Sequence, residues 1–115
     1  INATLAFSLV QALFMCKLGV KYISPFIGRL DDIDTEGIQV LYDIRDMIDN
    51  YGYQTEIIAA SIRSVRNLHE AIMAVADVVT LPLPIFEKAL KHPLTDQGIE
   101  KFLADWKKIG IIQFP

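Results

Sequence analysis

The chain has 115 residues, of which 52% are hydrophobic and 22% are charged, with a formal net charge of -3. This length corresponds to about one small domain, and the high apolar content excludes a disordered chain. The negative charge argues against a nucleic-acid-binding protein, which usually carries a basic face. The single cysteine, Cys16, excludes an internal disulfide and is typical of a reducing cytosol.

The apolar segment from Ala3 to Cys16 does not have the pattern of a signal peptide. No basic residue precedes it, and Thr4, Ser8 and Gln11 interrupt it. No window reaches the roughly 18 apolar residues that a membrane-spanning helix requires. We therefore expect a soluble, cytoplasmic protein.

Apolar runs alternate with helical patterns along the chain. Four runs predict strands, at residues 3–7, 21–26, 54–60 and 78–81. A helix is predicted after each strand, and a last amphipathic helix ends the pattern; these helices cover residues 8–18, 35–50, 64–74, 84–90 and 95–108. Ser8 and Gln11 stand at capping-box spacing for the first helix, and Gly52 lies in the break that ends the second.

This order of four strand–helix units and a terminal helix predicts the α/β fold class. We expect these apolar strands, the first included, to be buried, and buried strands joined by helical crossovers imply a parallel sheet. Four units form either an open doubly wound sheet or half of an eight-unit (β/α)8 TIM barrel, and the pattern does not choose between them. In both folds, residues at the carboxyl ends of the strands form the ligand site.

Two of the predicted strands run directly into a serine followed by an arginine. The first pair is Ser24 and Arg29, and the second is Ser61 and Arg63. Hydroxyl, backbone N–H and guanidinium groups all donate to phosphate oxygens. Because neighbouring parallel strands bring both loops to one rim, the sequence predicts a site for a phosphorylated small molecule.

These polar residues also have purely structural interpretations. Arg29 could pair with Asp31 or Asp32, and acids at these positions also suit the start of a helix. Asn2 and Thr4 lie on one face of the first strand. They either contact a ligand or form hydrogen bonds within the core. Neither histidine has a second ligand at metal-binding spacing, so we expect no metal site.

Several segments, in order, resemble the small transaldolase family, which includes the fructose-6-phosphate aldolases. They are Asn2-Ala3-Thr4-Leu5-Ala6-Phe7-Ser8 with Gln11, Ile23-Ser24-Pro25-Phe26-Ile27-Gly28-Arg29-Leu30-Asp31-Asp32, Glu56-Ile57-Ile58-Ala59-Ala60-Ser61-Ile62-Arg63, His92-Pro93-Leu94-Thr95-Asp96 and Phe102-Leu103-Ala104-Asp105-Trp106. We therefore assign residues 1–108 to the C-terminal half of a transaldolase-like barrel and residues 109–115 to a tail.

The resemblance implies an eight-unit (β/α) barrel that needs no metal or organic cofactor. In that family a strand lysine forms a Schiff base with a ketose, and a retro-aldol step then cleaves a carbon–carbon bond. The bound dihydroxyacetone unit passes to an aldose phosphate. The implied substrates are fructose 6-phosphate with erythrose 4-phosphate or glyceraldehyde 3-phosphate, within the pentose phosphate pathway.

The resemblance also implies roles for individual residues. Arg29 and Arg63 would hold the substrate phosphate, helped by Ser61. Asn2 and Thr4 would contact the bound sugar or the imine.

Two further residues complete the implied substrate site. Ser24 would line the same cleft. Phe26 occupies a position where transaldolases tend to carry Phe and the aldolases Tyr, and a Phe cannot supply a hydroxyl for proton handling. This residue favours transaldolase over free aldolase activity.

The Schiff-base lysine is missing from the matching positions. In the family it belongs to a strand that precedes Asn2, and none of the lysines present is a credible substitute. Lys21 stands at the beginning of a strand, at the wrong end of a barrel, and the others fall in helices or the terminal segment. We interpret the chain as strands five to eight of the barrel, inactive on its own.

Half a barrel leaves the first and fourth strands with unpaired edges and exposes apolar surface. We therefore expect the isolated chain to form homo-oligomers, and the terminal helix to dock on its own barrel or on a neighbour. Two functional hypotheses follow. The complete protein is a transaldolase or the related aldolase, or the chain is a catalytically inactive sugar-phosphate-binding fragment.

Overall fold

The computed structural model describes residues 1–110, in which strands and helices alternate. The elements, in chain order, are β1 (Asn2–Ala6), α1 (Leu9–Lys17), β2 (Tyr22–Pro25), α2 (Ile27–Asp31), α3 (Gly37–Tyr51), β3 (Glu56–Ala59), α4 (Val65–Met73), β4 (Val78–Val79), α5 (Leu83–Leu90) and α6 (Pro93–Lys108). The predicted order is confirmed, with α2 as an additional short helix. Most of the predicted tail, residues 111–115, lies outside the described residues. Within residues 1–110, no helix has the length and apolarity needed to cross a membrane.

Local hydrogen bonds explain where several helices begin and end. Ser8 and Ser64 precede α1 and α4, and each hydroxyl accepts a hydrogen bond from the backbone N–H three residues later, at 3.2 and 3.0 Å. The side chain of Gln11 reaches back and accepts from the N–H of Phe7 at 2.9 Å. Gly52 ends α3 in the left-handed conformation, with φ of +69°. The sequence predicts the cap formed by Ser8 with Gln11 and the break at Gly52, and the structure adds the cap formed by Ser64.

The four strands form one parallel sheet in the order β1-β2-β3-β4. Among the described residues, β1 and β4 are therefore its edges. Thr4 and Leu5 of β1 are exposed, so the expectation that the first strand is buried is wrong. β4 has only two paired residues, although the N–H of Thr80 still donates to the carbonyl of Ala59 at 3.0 Å. Pro82, which follows, cannot donate to a ladder.

The helices that follow the strands pack in a single layer against one face of the sheet. In this layer α3 contacts both α1 and α4, and α4 contacts α5. Ile23, Ile57 and Ala59 of the sheet are fully buried within the same core cluster, whereas Glu56 and Ile58 alternate with them and stay partly exposed. A doubly wound sheet has helices on both faces. The one-sided layer is therefore the arrangement of a segment of a (β/α)8 barrel.

An arginine on α3 and an aspartate before β4 form a hydrogen-bonded cluster at the amino ends of β3 and β4. Arg45 donates to Asp77 at 3.1 Å and to Asp49 at 2.7 Å. The Asp77 carboxylate also accepts from the N–H of Ile57 at 2.7 Å, so it holds the start of β3. Burial acts to lower the pKa of Arg45, but the hydrogen bonds and charges of the two aspartates outweigh burial and raise it. This cluster lies at the end of the sheet opposite the predicted site.

The terminal helix α6 does not pack into the core. Pro93 occupies its first turn, and His92 Nδ1 accepts from the N–H of Leu94 at 3.1 Å. None of its residues is buried, and Phe102 is 72% exposed. The radius of gyration is 19.6 Å, whereas a compact chain of this size has a value of about 13 Å. The molecule is therefore elongated, with an exposed apolar stripe along α6.

Backbone hydrogen bonds continue past the carboxyl ends of β2 and β3 and join the two following loops. The N–H groups of Ile27 and Gly28 donate to the carbonyls of Ala60 and Ser61, both at 3.0 Å. Ser61 adopts φ of +59°, a conformation that a residue with a side chain adopts only at a cost. A Cβ atom on Gly28 would lie 2.3 Å from the Ser61 carbonyl oxygen. The contact between these loops therefore requires glycine at position 28.

We predict that Gly28→Ala destabilises the chain, because the added methyl group collides with backbone that is itself strained. The expected loss of unfolding free energy is about 1–3 kcal/mol, measured by urea unfolding with far-UV circular dichroism. Gly98→Ala is the matched control: nothing lies within 4 Å of its Cβ position on α6. It should leave stability unchanged or raise it by up to about 1 kcal/mol. Equal stability of the two variants would contradict the close contact.

Candidate functional site

The two arginines that the sequence singles out lie on adjoining loops at the carboxyl edge of the sheet. Arg29 is the third residue of α2, and Arg63 lies in the loop between β3 and α4; both side chains are exposed. The Arg29 guanidinium carbon lies 5.3 Å from the centre of the Phe26 ring, within the range of a cation–π contact. The hydrogen bonds between Gly28 and Ser61 hold the two loops side by side.

Arg63 forms an ion pair across the two loops with Asp32, at the end of α2. The hydrogen bond from Arg63 lowers the pKa of Asp32 below its ordinary 3.8, and the charges of Arg63 and Arg29 act in the same direction against burial. The hydrogen bond to Asp32 likewise raises the pKa of Arg63. A carboxyl group with a lowered pKa stabilises the folded state fully when the pH is above its ordinary pKa, so at neutral pH Asp32 is ionised and the ion pair is formed. It weakens only as the pH falls below 3.8 through the lowered pKa.

The structural interpretation of Arg29, a pairing with Asp31 or Asp32, is wrong for both acids. Asp31 Oδ1 accepts from the N–H of Gly37, the first residue of α3, at 3.0 Å, as suits an acid near the amino end of a helix. Asp32 bonds to Arg63 instead. Among the described residues, the Arg29 guanidinium therefore has the Phe26 ring as its neighbour and no carboxylate bonded to it.

Ser24 and Asn2 form a pair on neighbouring strands. The Ser24 hydroxyl is buried and donates to Asn2 Oδ1 at 2.9 Å. This bond satisfies a buried hydroxyl and orients the Asn2 amide, which is otherwise exposed at the edge of the sheet. Thr4, two residues along β1, is also exposed, and its hydroxyl has no hydrogen bond to another described residue.

The structure therefore brings the predicted site residues together in two groups. Phe26, Arg29, Ser61 and Arg63 lie on the joined loops, while Asn2 and Ser24 pair within the sheet and Thr4 lies on the exposed edge strand. Phe26 connects the groups, because its N–H donates to the carbonyl of Ala6 in β1 at 3.1 Å. Its ring also meets that of Phe7 edge to face, with centroids 6.0 Å apart.

No lysine among the described residues lies on a strand at this edge of the sheet. Lys21 precedes β2 and so stands at the amino edge, as the sequence predicts. The other lysines belong to α1, to α5 and its C-cap, and to α6. No group of three or more histidine, cysteine or acidic residues within positions 1–110 could hold a metal ion. A groove of about 650 Å³ does contain Lys21, but it lies at the amino edge with Glu56 and Gly52, where barrel proteins carry stability rather than chemistry.

Sequence reasoning missed three residues that shape the joined loops. Gly28 allows the loops to touch, and Asp32 holds Arg63. Asn67 is buried in α4, and its Oδ1 accepts from the backbone N–H of Arg63 at 3.1 Å. A signal for Asn67 was available, since an amide three residues after the Ser64 cap stands where it can reach back to the preceding loop.

Comparison with known proteins matches nearly the whole chain to one protein family. The sequence model of the transaldolase/fructose-6-phosphate aldolase family matches residues 1–111. The chain is 56% identical over 108 residues to a "probable transaldolase" of Hydrogenobaculum sp. (strain Y04AAS1), covering 94% of this chain and 50% of that protein. It is 54% identical over 109 residues to a "probable transaldolase" of Rhizobium meliloti (strain 1021), covering 95% and 50%.

A third relative, a "probable transaldolase" of Lactiplantibacillus plantarum, is 52% identical over 112 residues, which cover 97% of this chain and 52% of that protein. The chain thus spans about half the length of the curated relatives it matches. A parallel sheet of four strand–helix units, with polar loops at its carboxyl edge, is the architecture that half a (β/α)8 barrel requires. The chain belongs to the transaldolase/fructose-6-phosphate aldolase family.

Proposed function

We propose that the protein is a transaldolase that transfers a dihydroxyacetone unit between sugar phosphates. The main support is the placement of Arg29 and Arg63 on loops joined by hydrogen bonds at the carboxyl edge of a parallel sheet. Guanidinium groups are well suited to bidentate phosphate recognition, and barrel enzymes place their phosphate sites at this edge. Membership of the family supplies the reaction class.

In this proposal the joined loops bind the substrate phosphate. Arg29 and Arg63 supply the positive charge and the Ser61 hydroxyl supplies a further donor. The Phe26 ring holds Arg29 through the cation–π contact. We assign residues 1–108 to this barrel half and residues 109–115 to a tail.

The remaining predicted residues face the sugar rather than the phosphate. Ser24 lines the cleft and orients the Asn2 amide through the 2.9 Å hydrogen bond. Asn2 and Thr4 contact the hydroxyl groups of the bound sugar or the imine. Phe26 offers no hydroxyl for proton transfer, which favours transaldolase over the related fructose-6-phosphate aldolase activity.

The chemistry requires a lysine that residues 1–110 do not place at the site. Its amine adds to the ketose C2 carbonyl and water leaves, which forms an iminium ion. A general base takes the proton of the C4 hydroxyl, the C3–C4 bond breaks with its electron pair moving toward the iminium, and an aldose phosphate leaves. The resulting enamine attacks the aldehyde of the acceptor, and hydrolysis frees the lysine. We propose that this lysine comes from polypeptide outside these 115 residues, and that the chain alone is inactive.

A borohydride trapping experiment tests this assignment. The intact protein is incubated with fructose 6-phosphate, reduced with borohydride and analysed by intact-mass and peptide mass spectrometry. We expect a reduced adduct on a lysine outside residues 1–115. An adduct on Lys21 or another lysine of this chain would overturn the lysine assignment. The absence of any adduct would favour the alternative function, a catalytically inactive sugar-phosphate-binding protein.

The phosphate assignment predicts a substrate-selective effect of Arg29→Ala. Loss of charge-assisted hydrogen bonds should raise the KM of the intact enzyme for fructose 6-phosphate by roughly 10- to 100-fold. Activity with a donor and an acceptor that both lack a phosphate, such as fructose and glyceraldehyde, should change little. Arg66→Ala is the control, because Arg66 pairs with Glu70 within α4 at 3.0 Å and has no ion pair with a residue of the joined loops. Unchanged kinetics of Arg29→Ala with fructose 6-phosphate would disprove the phosphate role.

We propose sugar phosphates as the small-molecule partners, the cytoplasm as the location and a homo-oligomer as the working state. Support for the oligomer comes from the edges at β1 and β4 and from the apolar stripe on α6. Sedimentation velocity of the 115-residue chain should show concentration-dependent species larger than a monomer. A folded monomer over the micromolar range would contradict this expectation.

A further inference from the structure

Among the described residues, Asp32 is the acid bonded to Arg63, one of the two arginines proposed to bind phosphate. It ends α2, where its N–H donates to the carbonyl of Gly28 at 3.2 Å. Its carboxylate bonds to Arg63, 31 positions further along the chain. Neither the sequence motifs nor the family resemblance assigns this residue a part in ligand binding.

The path of the Arg63 side chain shows what the ion pair does. A Cβ on Gly28 would lie 2.9 Å from both Cδ and Nε of Arg63, so the side chain runs directly across the bare glycine toward α2. Asp32 binds Nη1 alone. Nε and Nη2 have no hydrogen bond to another described residue, which leaves one edge of the planar guanidinium open. That edge is one of those through which arginine binds phosphate in bidentate fashion.

The backbone of Arg63 is held as well. Its N–H donates to Oδ1 of the buried Asn67 at 3.1 Å. The side chain is half exposed, at 50%, and without a partner at its tip it would sample several rotamers. Fixing the tip to Asp32 removes that freedom before a ligand arrives, which lowers the entropic cost of binding.

We propose that Asp32 is a positioning residue, which holds the Arg63 guanidinium across Gly28 with its Nε and Nη2 edge presented to a phosphate monoester. This inference rests on the proposed phosphate role of Arg63. The carboxylate also repels the phosphate, and because both would bind one guanidinium they lie within the Debye length of about 8 Å, so salt screens this repulsion only in part. The proposal is that the ordering of Arg63 outweighs the repulsion, so that removal of the carboxylate weakens phosphate binding.

The test uses inorganic phosphate as the probe and the intact ¹⁵N-labelled protein at 0.15 M salt. Phosphate affinity is measured from the arginine Nε–Hε resonances, and thermal unfolding is followed in parallel. Asp32→Asn should weaken phosphate binding about two- to fivefold, the range expected for an exposed ion pair. Asp49→Asn is the matched control, since Asp49 bonds to Arg45 at 2.7 Å away from the joined loops, and should leave phosphate affinity unchanged.

A double-mutant cycle separates positioning from a merely structural or general electrostatic role. In an Arg63→Gln background, Asp32→Asn should no longer weaken phosphate binding, because there is no guanidinium to orient. An equal loss in both backgrounds would overturn the proposal. Asp32→Ser provides the same comparison if Asp32→Asn does not fold.

The remaining outcomes are distinct. Wild-type protein that does not bind phosphate would refute the proposed phosphate site itself. Wild-type binding with unchanged or tighter binding by Asp32→Asn would leave that site standing and refute positioning by Asp32. In the tighter case, the carboxylate would instead compete with phosphate for Arg63.

Discussion

The site depends on the hydrogen bonds that continue the pairing of β2 and β3 beyond the ends of the strands. The N–H groups of Ile27 and Gly28 find their acceptors in the next loop, at Ala60 and Ser61, rather than in a ligand or in solvent. This pairing forces Ser61 into a left-handed conformation and excludes any side chain at position 28. The strain is retained because the two loops then leave the sheet together, and each carries its arginine to the same side of the molecule.

The arginines at the amino and carboxyl ends of the strands differ in burial and in their bonding partners. At the amino edge, Arg45 is largely enclosed and bonded to two aspartates, one of which also accepts from the backbone of β3. Its buried Nε has no hydrogen-bond partner among the described residues. At the carboxyl edge, Arg29 and Arg63 are exposed, and each retains donors that no described residue uses. An enclosed arginine whose charge is balanced by two carboxylates is closed to an anion, whereas an exposed arginine with unused donors is accessible to one. This division agrees with the separation of stability and chemistry that barrel proteins show.

Much of this arrangement could be predicted from the sequence, because the relevant signals are local. Ser8, Ser64 and Gly52 delimit helices through capping rules that involve only neighbouring residues. The choice between a barrel and a doubly wound sheet was not predictable from periodicity, since both require the same alternation of elements. The role of Gly28 and the partner of Arg63 were missed for the same reason. Each depends on a contact across more than 30 positions, and such contacts leave no mark in a short stretch of sequence.

The exposed helix α6 also carries Trp106, the only tryptophan in the chain, and Trp106 is only partly buried. Intrinsic fluorescence excited at the red edge therefore reports the surroundings of this helix and is nearly silent about the sheet. The tyrosines are distributed differently: Tyr22 lies in β2 and Tyr42 in α3, within the body of the fold. Two optical probes of one polypeptide thus read two different events, the docking of a terminal helix and the assembly of the core. Their transitions coincide only where those events are coupled.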